Sequence, residues 1–166
     1  MSEREPYGTI TRVDAAHATI RFERRLSAPI ERVWAAITDP GQLATWLATS
    51  SIDLRAGGKV EHVFDPADPG GQVNGTILRI EPMTVLEYAW RFLGEPDSIL
   101  RYDLVADGET TVMTLTHRLL GIDQVSGYGA GWHAYLDALA AVLARTEAPD
   151  WGSRFAAVRA AYASVH

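Results

Sequence analysis

A chain of 166 residues, 47% of them hydrophobic, is long enough for one domain, and a domain of that size buries roughly 70% of its unfolded surface. Its formal charge of -6, with no local cluster of Lys or Arg, repels phosphate backbones and anionic membranes, so nucleic acid is set aside as a partner. The absence of cysteine excludes disulfides, thiolate metal ligands and a thiol nucleophile, and suits a reducing cytoplasm. Neither a basic-then-apolar leader nor an apolar run of about 18 residues is read, so a cytoplasmic location without membrane insertion is expected.

His17 to Leu26 alternates, with Ile20, Phe22 and Leu26 on one face and Arg21, Glu23 and Arg25 on the other, which predicts a first strand. Pro29 and Glu31, with Ile30, Val33, Trp34 and Ile37 at helical spacing, predict a short helix that Asp39-Pro40-Gly41 stops. Leu43, Trp46 and Leu47 share one side of a second short helix. From Ser51 the period returns to two. Ile52 and Leu54, the Gly57-Gly58 turn, and Val60, His62 and Phe64 on a common face make a hairpin. Asp65 to Gly71 reads as a loop. Gly75–Ile80, Val85–Phe92, Ile99–Val105 and Thr111–His117 supply four more strands, separated by Glu81-Pro82, Gly94-Glu95-Pro96 and Asp107-Gly108. Such short turns require antiparallel pairing, which excludes a parallel α/β sheet.

A long helix over Ser126–Arg145 follows. Tyr128, Trp132, Tyr135, Leu136, Leu139, Val142 and Leu143 fall within an arc of about 120°, with Asp137 opposite. After Ala148-Pro149, a last helix places Phe155, Val158, Tyr162 and Val165 on one face. Residues 1–148 are therefore read as a single domain and 149–166 as a helical extension, docked on that domain or on a second subunit in a homodimer.

Strand parity turns Val60, His62, Phe64, Leu78, Ile80, Leu86, Tyr88, Trp90, Leu100, Tyr102, Leu104, Met113, Leu115 and His117 toward one concave face. Trp132, Tyr135, Leu136 and Leu139 of the long helix oppose them. The expected cavity lining for an apolar ligand is Trp46, His62, Phe64, Tyr88, Trp90, Tyr102, His117, Trp132, Tyr135 and Leu136. The competing reading is a solid core whose hydroxyls and imidazoles are satisfied locally. The cost of burying so many polar tips without partners favours a cavity.

His62 and His117 suggest an acid/base pair, but no carboxylate shares their face. Glu87 and Asp103 alternate outward, as do Arg79 and Arg101, and no catalytic residue is assigned. The five histidines form neither HxH nor HExxH spacing, and Asp65 and Asp68 lack a calcium loop's spacing, so neither metal nor cofactor is expected. Gly127, Gly129 and Gly131 fall short of a dinucleotide fingerprint, because Trp132 stands where a third glycine is needed. They read instead as a close helix–sheet approach or a flexible loop over the cavity mouth. No GxSxG elbow is present. Arg154 and Arg159 are read as solvated surface.

Several of these pieces occur together in a known order. Ala28-Pro29 with Val33-Trp34, Thr38-Asp39-Pro40, Leu43 and Trp46 come first. Gly57-Gly58-Lys59, Gly75 to Pro82, Leu86 to Trp90, Thr114 to His117, and Gly131-Trp132 before Tyr135-Leu136 and Leu139 follow. This set, spanning Ile20 to Leu143, resembles the activator-of-Hsp90-ATPase-homologue-like branch of the START and Bet v 1 related (SRPBCC) superfamily. The resemblance implies an α+β helix-grip fold: a curved antiparallel sheet of six or seven strands around a long C-terminal helix, with two short helices after the first strand and an apolar cavity. The element order above agrees with it independently. The scaffold holds lipids, carries cyclase or hydratase chemistry, or stimulates Hsp90, so fold leaves function open. The leading expectation is binding of a hydrophobic or aromatic small molecule. The alternatives are a chaperone-ATPase activator, against which only about 16 residues precede the first strand where better-understood relatives use a further domain, and a cyclase or hydratase using His62, His117 or a tyrosine.

Overall fold

The alternation read from His17 to Leu26 folds as a ten-residue strand, β2 (His17–Leu26), with even positions inward. The computed structural model describes residues 7–64 and 71–163. After β1 (Thr9–Arg12) and β2 come α1 (Ile30–Thr38), α2 (Pro40–Trp46), β3 (Thr49–Ile52), β4 (Lys59–Val63), β5 (Gln72–Glu81), β6 (Val85–Phe92), β7 (Ser98–Asp107), β8 (Thr110–Gly121), α3 (Val125–Ala144) and α4 (Trp151–Tyr162). The strands form one curved, unclosed antiparallel sheet in the order β1-β2-β8-β7-β6-β5-β4-β3.

This is the expected helix-grip architecture with eight strands in place of six or seven. The added strand, β1, pairs with β2 from Thr9↔Arg21 to Arg12↔Ala18, and its residues are exposed or half-buried, so no burial period marked it. The turn between them is held by Asp14, whose carboxylate accepts the backbone N–H groups of Ala16 at 2.7 Å and His17 at 2.8 Å. That is the Asx-type turn an aspartate favours.

One inward assignment is corrected. Leu78 is 47% exposed, and its neighbour Ile77 is the buried residue at 1%. Ile77 pairs with Tyr88 and Arg79 with Glu87, leaving Leu78 unpaired in a bulge. An extra residue reverses the parity of everything behind it, so Ile80 returns to the inner side while Val73, Gly75 and Ile77 take it ahead of the bulge. Glu87 does face outward as read, beside Arg101 at 3.5 Å and Arg118 at 3.8 Å.

The short helices close one end of the sheet. Asp39 terminates α1 and caps α2, accepting the Gln42 N–H, while Pro40 opens α2. Trp46 donates its indole N–H to the Ala36 carbonyl at 2.9 Å, tying the two helices together.

Helix α3 lies in the grip of the sheet and is buried nearly all round. The three glycines belong to its first turns, not to a loop. A Cβ at Gly129 would sit 2.7 Å from Tyr162 and 2.9 Å from Ile20, so only glycine lets α3 pass between β2 and α4 there. Helix α4 starts at an Asp150 cap and packs Val158 and Tyr162 against α3. Val165, Asp65 and Asp68 lie outside the described residues.

The face of α3 that the aromatic stripe leaves free is covered, which corrects the reading of Arg154 as solvated. Arg154 Nε donates to Asp137 Oδ2 at 2.6 Å, and Arg24 Nη1 of β2 donates to Asp137 Oδ1 at 2.9 Å. His133, fully buried beside this pair, shares a 2.8 Å hydrogen bond with the Tyr162 hydroxyl, which also accepts the Gly8 N–H at 2.8 Å. A strand arginine and a second helix convert the polar side of an amphipathic helix into an internal ion-pair cluster. Among the described residues no helix is long and apolar enough to cross a membrane, and no group of three His, Asp or Glu side chains is placed to hold a metal ion.

Candidate functional site

The ten candidate residues separate into a closed floor and an open cleft. On the floor, β4 and β6 bring His62 and Tyr88 together, and both are buried. Ser50 donates to the Ala48 carbonyl at 2.9 Å, so its oxygen accepts from His62 Nδ1 at 2.6 Å. That leaves His62 Nε2 as acceptor for the Tyr88 hydroxyl at 2.9 Å. His117 of β8 is built the same way. Trp132 Nε1 donates to His117 Nδ1 at 3.0 Å, His117 Nε2 donates to Ser98 Oγ at 2.7 Å, and Ser98 donates on to the Trp90 carbonyl at 3.3 Å.

Both imidazoles are therefore neutral and fully engaged. Burial pushes His62 down to about 4 and His117 down to about 3. Neither ring has a nitrogen left to take a proton from a substrate, and neither titrates near neutrality. Burial, reinforced by the adjacent Tyr102 hydroxyl, raises Tyr88 well above the ordinary phenol value. Tyr102 is also pushed up by burial, and its hydroxyl lies near that of Tyr88 without hydrogen-bond geometry to any described residue. Leu136 is buried in the core and Trp46 in its α1–α2 end, and neither lines the cleft.

Above the floor a cleft of about 750 Å³ opens to solvent between the β6 end of the sheet, the first half of α3, and α4. Four of the ten candidates line it: Phe64, Trp90, Trp132 and Tyr135. Their rings run in an unbroken series, with centroids 6.1 Å apart for Phe64–Trp90, 5.5 Å for Trp90–Trp132 and 6.1 Å for Trp132–Tyr135. The series continues onto α4, where Trp151 lies 5.2 Å from Tyr135 and stacks on Phe155 at 5.0 Å.

The parity argument missed the α4 wall and the polar rim. Trp151 and Phe155 stand four residues apart behind the Asp150 cap, which is the signal that they share a helix face. Nothing in the sequence says that this face meets Tyr135. At the rim, the Trp90 indole donates to the Tyr128 hydroxyl at 3.0 Å, and that hydroxyl donates to Glu95 Oε1 at 2.5 Å. Burial and the Glu95 carboxylate both hold Tyr128 in its protonated form, as a donor. Glu95 lies in a stretch read only as a turn, where periodicity carries no information.

A family model for activator of Hsp90 ATPase homolog 1-like protein matches residues 27–144. Among solved structures the chain is similar to CalU16 from Micromonospora echinospora, with 27% identity over 96% of each chain and a TM-score of 0.77. A Bordetella parapertussis protein is 31% identical over 97% of this chain and 92% of its own, with a TM-score of 0.71. DynU16, a protein in the dynemicin biosynthetic locus, is 27% identical over 76% of this chain and 47% of its own, with a TM-score of 0.66. No curated protein matches.

Proposed function

Since the chain belongs to the activator of Hsp90 ATPase homolog 1-like family, whose fold it shares, we propose that it binds a hydrophobic or aromatic small molecule in the cleft between the sheet, α3 and α4. The observation that carries this reading is the unbroken series of aromatic rings lining an open cleft of about 750 Å³. Such a volume suits a drug-sized ligand, and each well-placed ring pair adds roughly 0.5–1.5 kcal/mol beyond simple burial. The presence of DynU16 in the dynemicin biosynthetic locus supports a small-molecule ligand.

Residues 1–148 form the binding domain in this reading, and α4 completes its ligand site. The polar floor has a supporting part: its satisfied histidines fix Trp90 and Trp132, so the cleft meets its ligand with little rearrangement. Titration with the neutral solvatochromic dye Nile red tests the proposal. Saturable uptake with a blue-shifted emission is expected, weakened at least about fivefold by Tyr135→Ala or Phe155→Ala through lost ring contacts. Absence of uptake, or unchanged affinity in both variants, overturns it.

A further inference from the structure

The polar rim narrows what the cleft accepts. Glu95 belongs to the β6–β7 turn and lines a cleft walled largely by aromatic rings. Its Oε1 accepts the Tyr128 hydroxyl, and among the described residues its carboxylate has no ion-pair partner. Two arginines of the neighbouring strands are engaged elsewhere: Arg91 with Asp97, and Arg118 with Glu87. Resting on the cleft reading above, the geometry points to an aromatic ligand that carries a protonated nitrogen, seated with its cation at Glu95 and its rings along Trp90 and Trp132.

Three features set this charge preference. A carboxylate beside aromatic faces gives a cation both a charge-assisted hydrogen bond and the attraction of ring quadrupoles. Tyr128, held as a donor to Glu95, fixes the carboxylate against the Trp90 side of the cleft. The positive end of α3 also lies along the lining, but Asp123, immediately ahead of that helix, opposes its partial charge. Arg159 is the cleft's lone cationic side chain among the described residues, and it sits exposed on α4. The balance at the rim is two carboxylates to one guanidinium.

Three tricyclic probes of similar shape separate charge from hydrophobicity: cationic 9-aminoacridine, neutral acridine and anionic anthracene-9-carboxylate. Each is titrated into the full-length protein at neutral pH with fluorescence detection. The expected order is 9-aminoacridine tighter than acridine by about tenfold, and the carboxylate weaker than acridine. Glu95→Gln keeps an acceptor for Tyr128 and removes the charge. It should bring 9-aminoacridine to within about twofold of acridine, leave acridine unchanged, and leave the thermal unfolding midpoint in place. Arg159→Gln should strengthen 9-aminoacridine slightly by removing a like charge. Equal affinity for the cation and acridine, or a cation affinity indifferent to Glu95→Gln, overturns the inference while acridine binding leaves the cleft standing. Failure of all three probes overturns both.

Discussion

The floor and the cleft are both rich in aromatic side chains, yet they differ in how those side chains are satisfied. On the floor each ring nitrogen has a partner inside the protein, and no solvent reaches it. In the cleft the rings touch one another on one side and open space on the other. The difference comes from what stands opposite. Along α3, Leu136 and Leu139 are buried in the core, whereas at the cleft the helix presents Gly127 and Gly131 beside Trp132, and the small residues leave room. A polar aromatic face thus becomes a packed base or an open cleft wall according to the bulk of the helix beside it.

Acid should break the floor first and most strongly. Unfolded imidazoles titrate near 6.5, whereas His62 and His117 do so at about 4 and about 3, lowered by burial. Between those values the unfolded chain binds more protons, so the stability these rings contribute is complete above pH 6.5 and is lost progressively as pH falls through 4 toward 3. His133, also lowered to about 4 by burial, adds to the same trend. The two floor rings account for on the order of 3 and 5 kcal/mol, His62 and His117 respectively. Urea denaturation at a series of pH values should show this slope, and His117→Gln should flatten it.

The next largest effect belongs to neither region. Asp137→Ala leaves Arg24 and Arg154 facing each other beside a buried histidine, and should cost about 3–5 kcal/mol in urea denaturation. Because Arg154 anchors α4, that variant should also weaken Nile red binding, which links the ion-pair cluster to the cleft wall. Substitution within the cleft should behave in the opposite way. Phe155→Ala should weaken dye binding while costing less than about 1 kcal/mol of stability, since the ring is only partly buried. The smallest effect concerns register: Leu78→Gln should stay within about 0.5 kcal/mol in urea denaturation, and Ile77→Thr should cost several times more.

Periodicity made most of the sheet and all four helices legible, because alternation and helical spacing follow directly from which side of an element is buried. It failed where burial has no period. Thr9–Arg12 is a largely exposed edge strand, and Leu78 sits in a bulge that depends on its pairing with β6. For the candidate cleft, parity assigned side chains to a face but carried no information on depth. Phe64, Trp90, Trp132 and Tyr135 reach the cleft, while His62, Tyr88, Tyr102, His117, Trp46 and Leu136 are sealed beneath or beside it. Depth depends on how α3 is seated over the sheet, which strand alternation does not encode. Trp151 and the engagement of Arg154 depend on α4 folding back onto α3, and Glu95 depends on the β6–β7 turn meeting Tyr128 of α3, contacts that no periodicity within one element encodes.

The tryptophans are divided between two environments. Of the five, Trp90, Trp132 and Trp151 line the cleft, whereas Trp34 and Trp46 are packed in the α1–α2 end of the core. The protein therefore carries its own optical reporters. An occupant of the cleft alters three indoles and leaves the other two as an internal reference, so ligands without any colour of their own can be screened by intrinsic fluorescence alone.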